Sequence, residues 1–400
     1  MQISGSITFD GIWTGAEAAH FASVIRAFND RYPNVKVRYK PVGDNLPTVL
    51  ATAVAGGRPP DMADIAQPGL IQQFVDKGSL KPIGYATSAL VANFAPAWLK
   101  LGTYDGKLYA VVFKASNKSL VWYNAHAFQT AGVSPIRTWS QLMSLAATVK
   151  ESGTPPFSIG GADGWTLTDL FENIFLRQAG RAKYEALSAH TIKWTDPSVR
   201  RALEAMAQVL QSSNMAGGTT GAVQTDFPTS VDNAFQNPPK AAMVLEGDFV
   251  PASATVKVKA GADYGVFPFP SIGGSGPAVE VAGDSIVTFR TNAAIRAFET
   301  FLATPEAAEA YARYGGFATG NHNVPLSVYP NEISRSNARA VSSARSIVFD
   351  MSDEQPGSFG ATVGQGEWGL FQDFLRNPSD VAGIQQKLEA AATAAYDRGK

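Results

Sequence analysis

The sequence predicts an α/β protein built as two lobes. Three observations predict it. The first third alternates strand patterns with helical stripes, the middle is mostly helical, and strand patterns return late in the chain. A length of 400 residues also exceeds what one core usually holds.

Taken in order, "SGSITFD" reads as a strand over about Ile3–Phe9. Phe21, Val24, Ile25 and Phe28 then share one helical face, which predicts an amphipathic helix over Ala16–Asp30. "NVKVRYKPV" alternates as a half-buried strand does, and Leu46, Val49, Leu50, Ala53 and Val54 form the next stripe. "RPPDMADIA" is a short strand entered through a Pro-Pro turn. Leu70, Ile71, Phe74 and Val75 follow at helical spacing, with Gly78 as the stop. "YDGKLYAVVF" gives a turn and a strand that ends at Phe113. The mostly polar stretch Lys114–Ser119 then separates it from the strand Leu120–Asn124. Such β-α-β repeats imply a mainly parallel sheet.

Past Asn124, Thr138 and Gln141 form a capping-box pattern ahead of Leu142, Leu145, Ala146 and Val149. Asp196 and Pro197 open a second helix, Thr304-Pro305-Glu306 marks another start, and Val381–Tyr396 is an Ala-rich helix. "PPKAAMVLEG", "DYGVFPFP" and "VAGDSIVTF" are strand candidates. A sheet begun early is completed after a helical insertion, so the chain crosses between lobes several times.

Charge and composition narrow the function. With 33 Lys+Arg against 34 Asp+Glu the net charge is −1, which supplies no basic field for nucleic acid and favours a neutral small molecule. The absence of cysteine removes disulfides, thiolate metal sites and a cysteine nucleophile. The four histidines are far apart and lack metal-ligand spacing, so no metal and no cofactor is expected. There is no P-loop and no nucleophile elbow, and no apolar run approaches about 20 residues.

Ligands of open α/β sheets sit past the carboxyl ends of the strands. "FDGIWTGAE" places Trp13 and Glu17 there, where an indole face covers sugar C–H groups and a carboxylate accepts from hydroxyls. The other reading packs Trp13 in the core and leaves Glu17 to complement the helix dipole. "ADIAQPG" offers Gln67, and the Val111–Asn124 stretch offers Ser116 and Asn117. Trp165 and Asp169 fall in a loop running into a helix, Asp248 and Phe249 at a strand end, Asp284 in "VAGD", and Trp368 in "GQGEWG". The shared theme is an aromatic or amide beside a carboxylate.

In that order, "WTGAE", "FNDRYPNVKV", "PPDMADI", "DKGSLKPI", "LVWYNAHAFQTAGV", "KAAMVLEGDF" and "FLATPEAAEAYARYGG" make the chain resemble the carbohydrate-binding extracellular solute-binding proteins of ABC importers. "KASNKSLVWYN", "GADGWTLTDLFENIFLRQAG", "TDF" and "YGVFPFPSIGG" are most similar to the α-glucoside-binding members. The resemblance implies a two-lobed periplasmic-binding-protein-like fold of the class II type. Each lobe would be a mainly parallel sheet flanked by helices, joined by a hinge of several crossings. The lobes would comprise 1–115 with 271–321, and 118–268 with 322–400, crossing near 114–118, 268–272 and 318–324. It implies no enzyme activity, and a monomer that closes on a di- or oligosaccharide such as sucrose, maltose or trehalose. The sugar would pass to an ABC transporter permease in the membrane. Glu17, Gln67 and Asn117 match polar sugar contacts, and Trp165 and Asp169 match a subgroup pattern. Phe249 stands where relatives carry a stacking Trp, and Asp284 where they carry an aromatic residue. The resemblance further implies an extracytoplasmic location, in the periplasm or at the cell surface and lipid-anchored in a full-length form. The first residues, "MQISGSITFD", show neither signal nor Cys and fit a mature domain restarted from an added Met. The alternatives are a hydrolase using a carboxylate pair such as Glu17 with Asp169, or the same fold binding a polyol or a sugar phosphate. For a phosphate, Lys114 and Lys118 are the cations on offer.

Overall fold

The computed structural model describes residues 3–342 and 348–397. The chain divides into a first unit, Met1–Ser116 with Ala282–Ala344, and a second, Asn117–Val281 with Arg345–Lys400.

The first unit is organised by the strand Gly5–Gly11, which pairs in parallel with Val35–Pro41 and Met62–Ile65. Met62–Ile65 then pairs antiparallel with Ser285–Thr288, part of the strand Glu280–Thr288. The predicted helix at Ala16–Asp30 is Gly15–Arg31 and buries Phe21, Val24 and Phe28, three of the four stripe residues. On that face Phe9, Phe21, Phe28 and Phe298 make edge-on or tilted contacts between 4.8 and 6.5 Å. The other side packs Leu46, Leu50, Leu70, Ile71 and Phe74 against Ala63, Ile65 and Val287. The helix Pro68–Asp76 runs out at the expected glycine, because Gly78 takes a φ of +65° that other residues resist.

In the second unit the strand Leu120–Asn124 is central and pairs antiparallel with both Met243–Val244 and Tyr264–Pro268. The expectation of a mainly parallel sheet in each lobe is thus corrected for this one. Its parallel links are the short pairing of Glu280–Val281 with Val348–Phe349 and single bridges such as Phe157 to Met243 and Met215. Helices dominate here. The capping box at Thr138 and Gln141 opens Trp139–Glu151, and Asp196 caps Pro197–Val209. The helix Trp165–Ala179 is buried continuously from Thr166 to Arg177, so packing surrounds it on all sides.

Two sequence expectations about the crossings are corrected. The strand that was to end at Phe113 is one strand, Ala110–Asn117, buried throughout, and the break before Leu120 is Lys118-Ser119 alone. Alternating burial is not needed when both faces are covered, so Lys114, Ser116 and Asn117 sit in a strand despite their polarity. The division at Ser116/Asn117 falls inside the expected 114–118. The others fall at Val281/Ala282 and after Ala344, not at 268–272 and 318–324. Residues 268–272 are held in the second unit, where Pro268 pairs with Leu120 and Ser271 exchanges backbone bonds with Arg137 and Trp139. Residues 318–324 are held in the first, by Ala115 to Ala318 and Asn93 to His322 backbone bonds.

The Thr138 cap gives a direct check. Thr138→Ala removes the hydroxyl that accepts from the Gln141 amide, and should lower stability by about 1 kcal/mol in chemical denaturation, while Thr138→Ser should lose less.

Candidate functional site

Each unit carries its own constellation of polar and aromatic groups, and in each a buried lysine is gripped by two carboxylates.

In the first unit that lysine is Lys114, on the strand Ala110–Asn117. Its Nζ lies 2.5 Å from Glu17 Oε1 and 3.7 Å from Asp284 Oδ2. Glu17 stands in the first turn of Gly15–Arg31, and Asp284 lies inside the strand Glu280–Thr288 rather than in a loop. Trp13 is 2 % exposed and packs on Phe21, Tyr39, Phe113 and Tyr311. Its Nε1 donates to Asp284 at 2.7 Å. The core reading of Trp13 is therefore the one the structure supports, and the open indole face is corrected. Asp64, which the sequence did not single out, is fully buried beside them. Its Oδ2 accepts from the Ile12 amide and the Tyr39 hydroxyl. Burial, then the charge of Asp284, pushes its carboxyl well above the usual range, with Lys114 pulling the other way. Gln67 is buried at the start of Pro68–Asp76, where its carbonyl accepts from the Leu70 and Ile71 amides.

In the second unit the lysine is Lys118. Its Nζ is 3.0 Å from both oxygens of Asp169 and 2.5 Å from Asp350 Oδ2. Asp169 lies in the helix Trp165–Ala179 and not in a loop, which is why its burial is nearly complete. Burial opposes the lysine charge, but Asp169 and Asp350 outweigh it and hold the amine well above its ordinary value. Asp350 is likewise penalised by burial, yet Lys118 brings it below the usual carboxylate range. Glu172, Glu246, Glu280 and Glu367 surround this pair. Burial, then neighbouring carboxylates, raises all four well above their ordinary values. Oxygens of Asp169, Glu280 and Asp350 come within 4.8 Å of one another, a spacing that suits a cation, and the Lys118 ammonium supplies that charge from within the chain.

Above Lys118, at 5.4 Å, lies the ring of Trp165. Trp165 meets Phe227 at 4.9 Å and Phe249 at 6.0 Å, and the two phenylalanines meet at 5.6 Å. Trp165 and Phe249 are half-buried, whereas Phe227 is buried. The Phe227 amide donates to Asp163 Oδ2 at 2.6 Å, which fixes the start of the helix Phe227–Phe235 against the Trp165 turn. Asn117 and Asp248 exchange hydrogen bonds, Asn117 N to Asp248 Oδ2 at 3.2 Å and Asp248 N to Asn117 O at 3.0 Å. Ser116, the last residue of the first unit, is buried in the same strand. Trp368 lies in the first turn of Gly366–Arg376, not in a loop, and is 3 % exposed. It packs where a Cβ on Gly164 would come within 2.7 Å of its own Cβ, so it supports the start of the Trp165 helix from behind.

The expected residues thus fall into sets. Trp13, Glu17 and Asp284 come together in the first unit, and Gln67 caps a helix there. Trp165, Asp169 and Phe249 come together in the second, joined by Asn117 with Asp248 and backed by Trp368. Sequence reasoning missed Asp64, Asp350, Glu246 and Phe227. The polar spacing Asp169, Asn173, Arg177 in an otherwise apolar helix was the available signal, since it predicts a buried polar stripe at i, i+4, i+8. The two carboxylates of the hydrolase alternative, Glu17 and Asp169, are each engaged by a lysine of their own unit. Both lysines of the sugar-phosphate alternative are likewise engaged by carboxylates.

Each of the two α/β units is built from two separate segments of the chain, and each brings aromatic groups together with paired charges. The chain belongs to the bacterial extracellular solute-binding protein family, whose model matches residues 14–309. Among its relatives, the osmoprotective compounds-binding protein GgtB of Synechocystis sp. is 32 % identical over 362 residues, spanning 88 % of this chain and 85 % of that one. The alpha-glucosides-binding periplasmic protein AglE of Rhizobium meliloti is 32 % identical over 400 residues, spanning 96 % and 86 %. In fold, the chain matches the bacterial solute receptor AcbH, described as preferring β-D-galactopyranose exclusively. The TM-score is 0.86 at 22 % identity, over 98 % of this chain and 99 % of that one. The two-domain solute-receptor fold is thereby shown.

Breaking the Lys118 cluster has a calculable cost. Lys118→Met leaves Asp169 and Asp350 buried without their cation and should lower stability by about 3–5 kcal/mol at neutral pH. Part of the loss should be recovered on acidification toward about pH 5, because the unpaired carboxyls then bind protons that the unfolded chain releases more readily. Thermal melts of both proteins across that range check the sign.

Proposed function

We propose that this protein is the saccharide receptor of an ABC importer, capturing a di- or oligosaccharide outside the cytoplasm and delivering it to a membrane permease. The observation that carries the reading is the half-buried pair of Trp165 and Phe249, held edge-on by Phe227 beside the Asn117–Asp248 pair. Aromatic faces of this kind cover the apolar face of a pyranose, and amide and carboxylate groups accept from its hydroxyls. An α-glucoside such as sucrose, maltose or trehalose is the preferred solute in this reading. Support comes from the 32 % identity to the α-glucoside-binding relative over nearly the whole chain. The relative named for osmoprotective compounds makes small polyhydroxylated osmolytes the next group to test.

In this reading Glu17, Gln67 and Asp284 are the solute contacts that the first unit offers. The stretch at 114–118 is the proposed hinge. Among the described residues no helix is long and apolar enough to cross a membrane. The proposed working form is a monomer attached to the membrane only through a lipid anchor or the permease.

Isothermal titration against sucrose, maltose, trehalose, galactose and raffinose tests the assignment. Heat with at least one α-glucoside is expected. Trp165→Ala should weaken that binding about fivefold or more, since a stacked ring contributes about 1 kcal/mol or more. No heat and no thermal shift with any sugar in the panel would sink the proposal.

A further inference from the structure

Within the second unit two buried carboxyl groups, Asp169 and Glu246, lie within side-chain hydrogen-bond reach of each other. Treated as carboxylates, Glu246 Oε1 has no hydrogen-bond donor among the described residues, and Asp169 Oδ2 has only the Lys118 ammonium at 3.0 Å, outside hydrogen-bond geometry; both residues are at most 2 % exposed. The other oxygens are accounted for. Asp169 Oδ1 accepts from Lys118 Nζ at 3.0 Å, and Glu246 Oε2 accepts from the Gly247 amide at 3.1 Å. Two ionised carboxylates cannot share a dry contact, whereas a carboxylic acid donating to a carboxylate satisfies both oxygens with one proton. We propose that Asp169 and Glu246 share a single proton, with Glu246 donating to Asp169, and that Glu246 is thereby the positioning residue that holds Asp169 on Lys118 beneath the Trp165 ring. This role for Glu246 rests on the saccharide reading only so far as Trp165 contacts the solute.

The charges around the pair agree on where the proton resides. Lys118 touches Asp169 and Asp350 but reaches Glu246 only through space. The wider surroundings are acidic on every element packed here. Asp169 and Glu172 face it from the helix Trp165–Ala179, Glu280 from its strand, Asp350 and Asp353 from the segment after Val348–Phe349, and Glu367 from Gly366–Arg376. Arg177 is the other nearby cation, and it is spent on the Asn173 side chain and the Ala278 carbonyl. Burial, then the charge of Asp169, raises Glu246 well above its ordinary value, while Asp169 is pushed up only to about 7. The proton therefore belongs to Glu246.

Glu246→Gln is the discriminating variant, because its amide donates as the acid does but cannot titrate. The wild-type acid keeps its proton when folded and loses it at ordinary pH when unfolded. Its contribution to stability is therefore full below the ordinary glutamate value and declines as pH rises above it. The melting temperature of the wild type relative to Glu246→Gln should fall between about pH 5 and about pH 8. Glu246→Leu, which offers no donor, should melt lower than Glu246→Gln throughout. A difference between wild type and Glu246→Gln that is flat with pH overturns the proposal, and so does equal melting of the Gln and Leu variants. Neutron diffraction of the unmodified protein reads the same point without any variant: a deuteron bonded to Glu246 and directed at Asp169 supports it, and its absence refutes it. If the sugar panel gives no heat while these measurements come out as expected, the solute assignment has failed and the shared proton stands.

Discussion

The second unit depends on one ammonium group. Lys118 stands at the first residues of that unit, and its Nζ ties the helix Trp165–Ala179, through Asp169, to the segment that returns after Val348–Phe349, through Asp350. Those elements are about 50 and over 200 residues away in sequence. A buried ion pair of this kind is weak evidence for net stability, because desolvation consumes most of the Coulomb gain. What it does enforce is registry. Removing any partner strands a charge, so alternative packings of these three segments are penalised severely.

The helix Trp165–Ala179 turns that registry into a surface. Its core faces place Leu167, Leu170, Phe171 and Ile174 in the hydrophobic cluster, while Asp169, Asn173 and Arg177 form a polar line with a partner at each step. Ser119 Oγ donates to Asn173, and Asn173 Nδ2 returns to the Lys118 carbonyl. The backbone at Lys118-Ser119 is thus stitched to the same helix that presents Trp165 at its first residue. An aromatic group on a helix fixed this way would lose little freedom when a ring stacks on it, which is the physical ground for the proposal that Trp165 contacts the solute.

Much of this was legible in advance, for identifiable reasons. Periodicity located the helices, because Phe21, Val24 and Phe28 or Leu142, Leu145 and Val149 repeat at a spacing that only a helix can bury on one side. Cap chemistry at Thr138 and Asp196 fixed two starts to the residue. Three features were not legible. Polar residues in a fully covered strand mimic a loop, so Lys114, Ser116 and Asn117 disguised the length of Ala110–Asn117. Pairing direction in the second unit depends on which distant strands meet, which no local pattern encodes. The partners of a buried charge are also non-local, so Asp350 and Glu246 carried no signal until Lys118 was placed.

The same grammar recurs on the other side of the division between Ser116 and Asn117. Lys114 is held by Glu17 and Asp284 as Lys118 is held by Asp169 and Asp350, and each set lies within its own unit. Two lysines four positions apart are therefore anchored independently. The backbone that joins them, Ala115 to Asn117, is the part of the strand bounded by these anchors. Displacing Lys118 would leave the buried Asp169 and Asp350 to their mutual repulsion, and displacing Lys114 would leave the partly buried Glu17 and Asp284 to theirs, so each lysine is a fixed point of its own unit. The polar residues that make this stretch look unlike a strand are the ones that tie a single buried strand, Ala110–Asn117, to the first unit at Lys114 and lead directly to the second unit's anchor at Lys118.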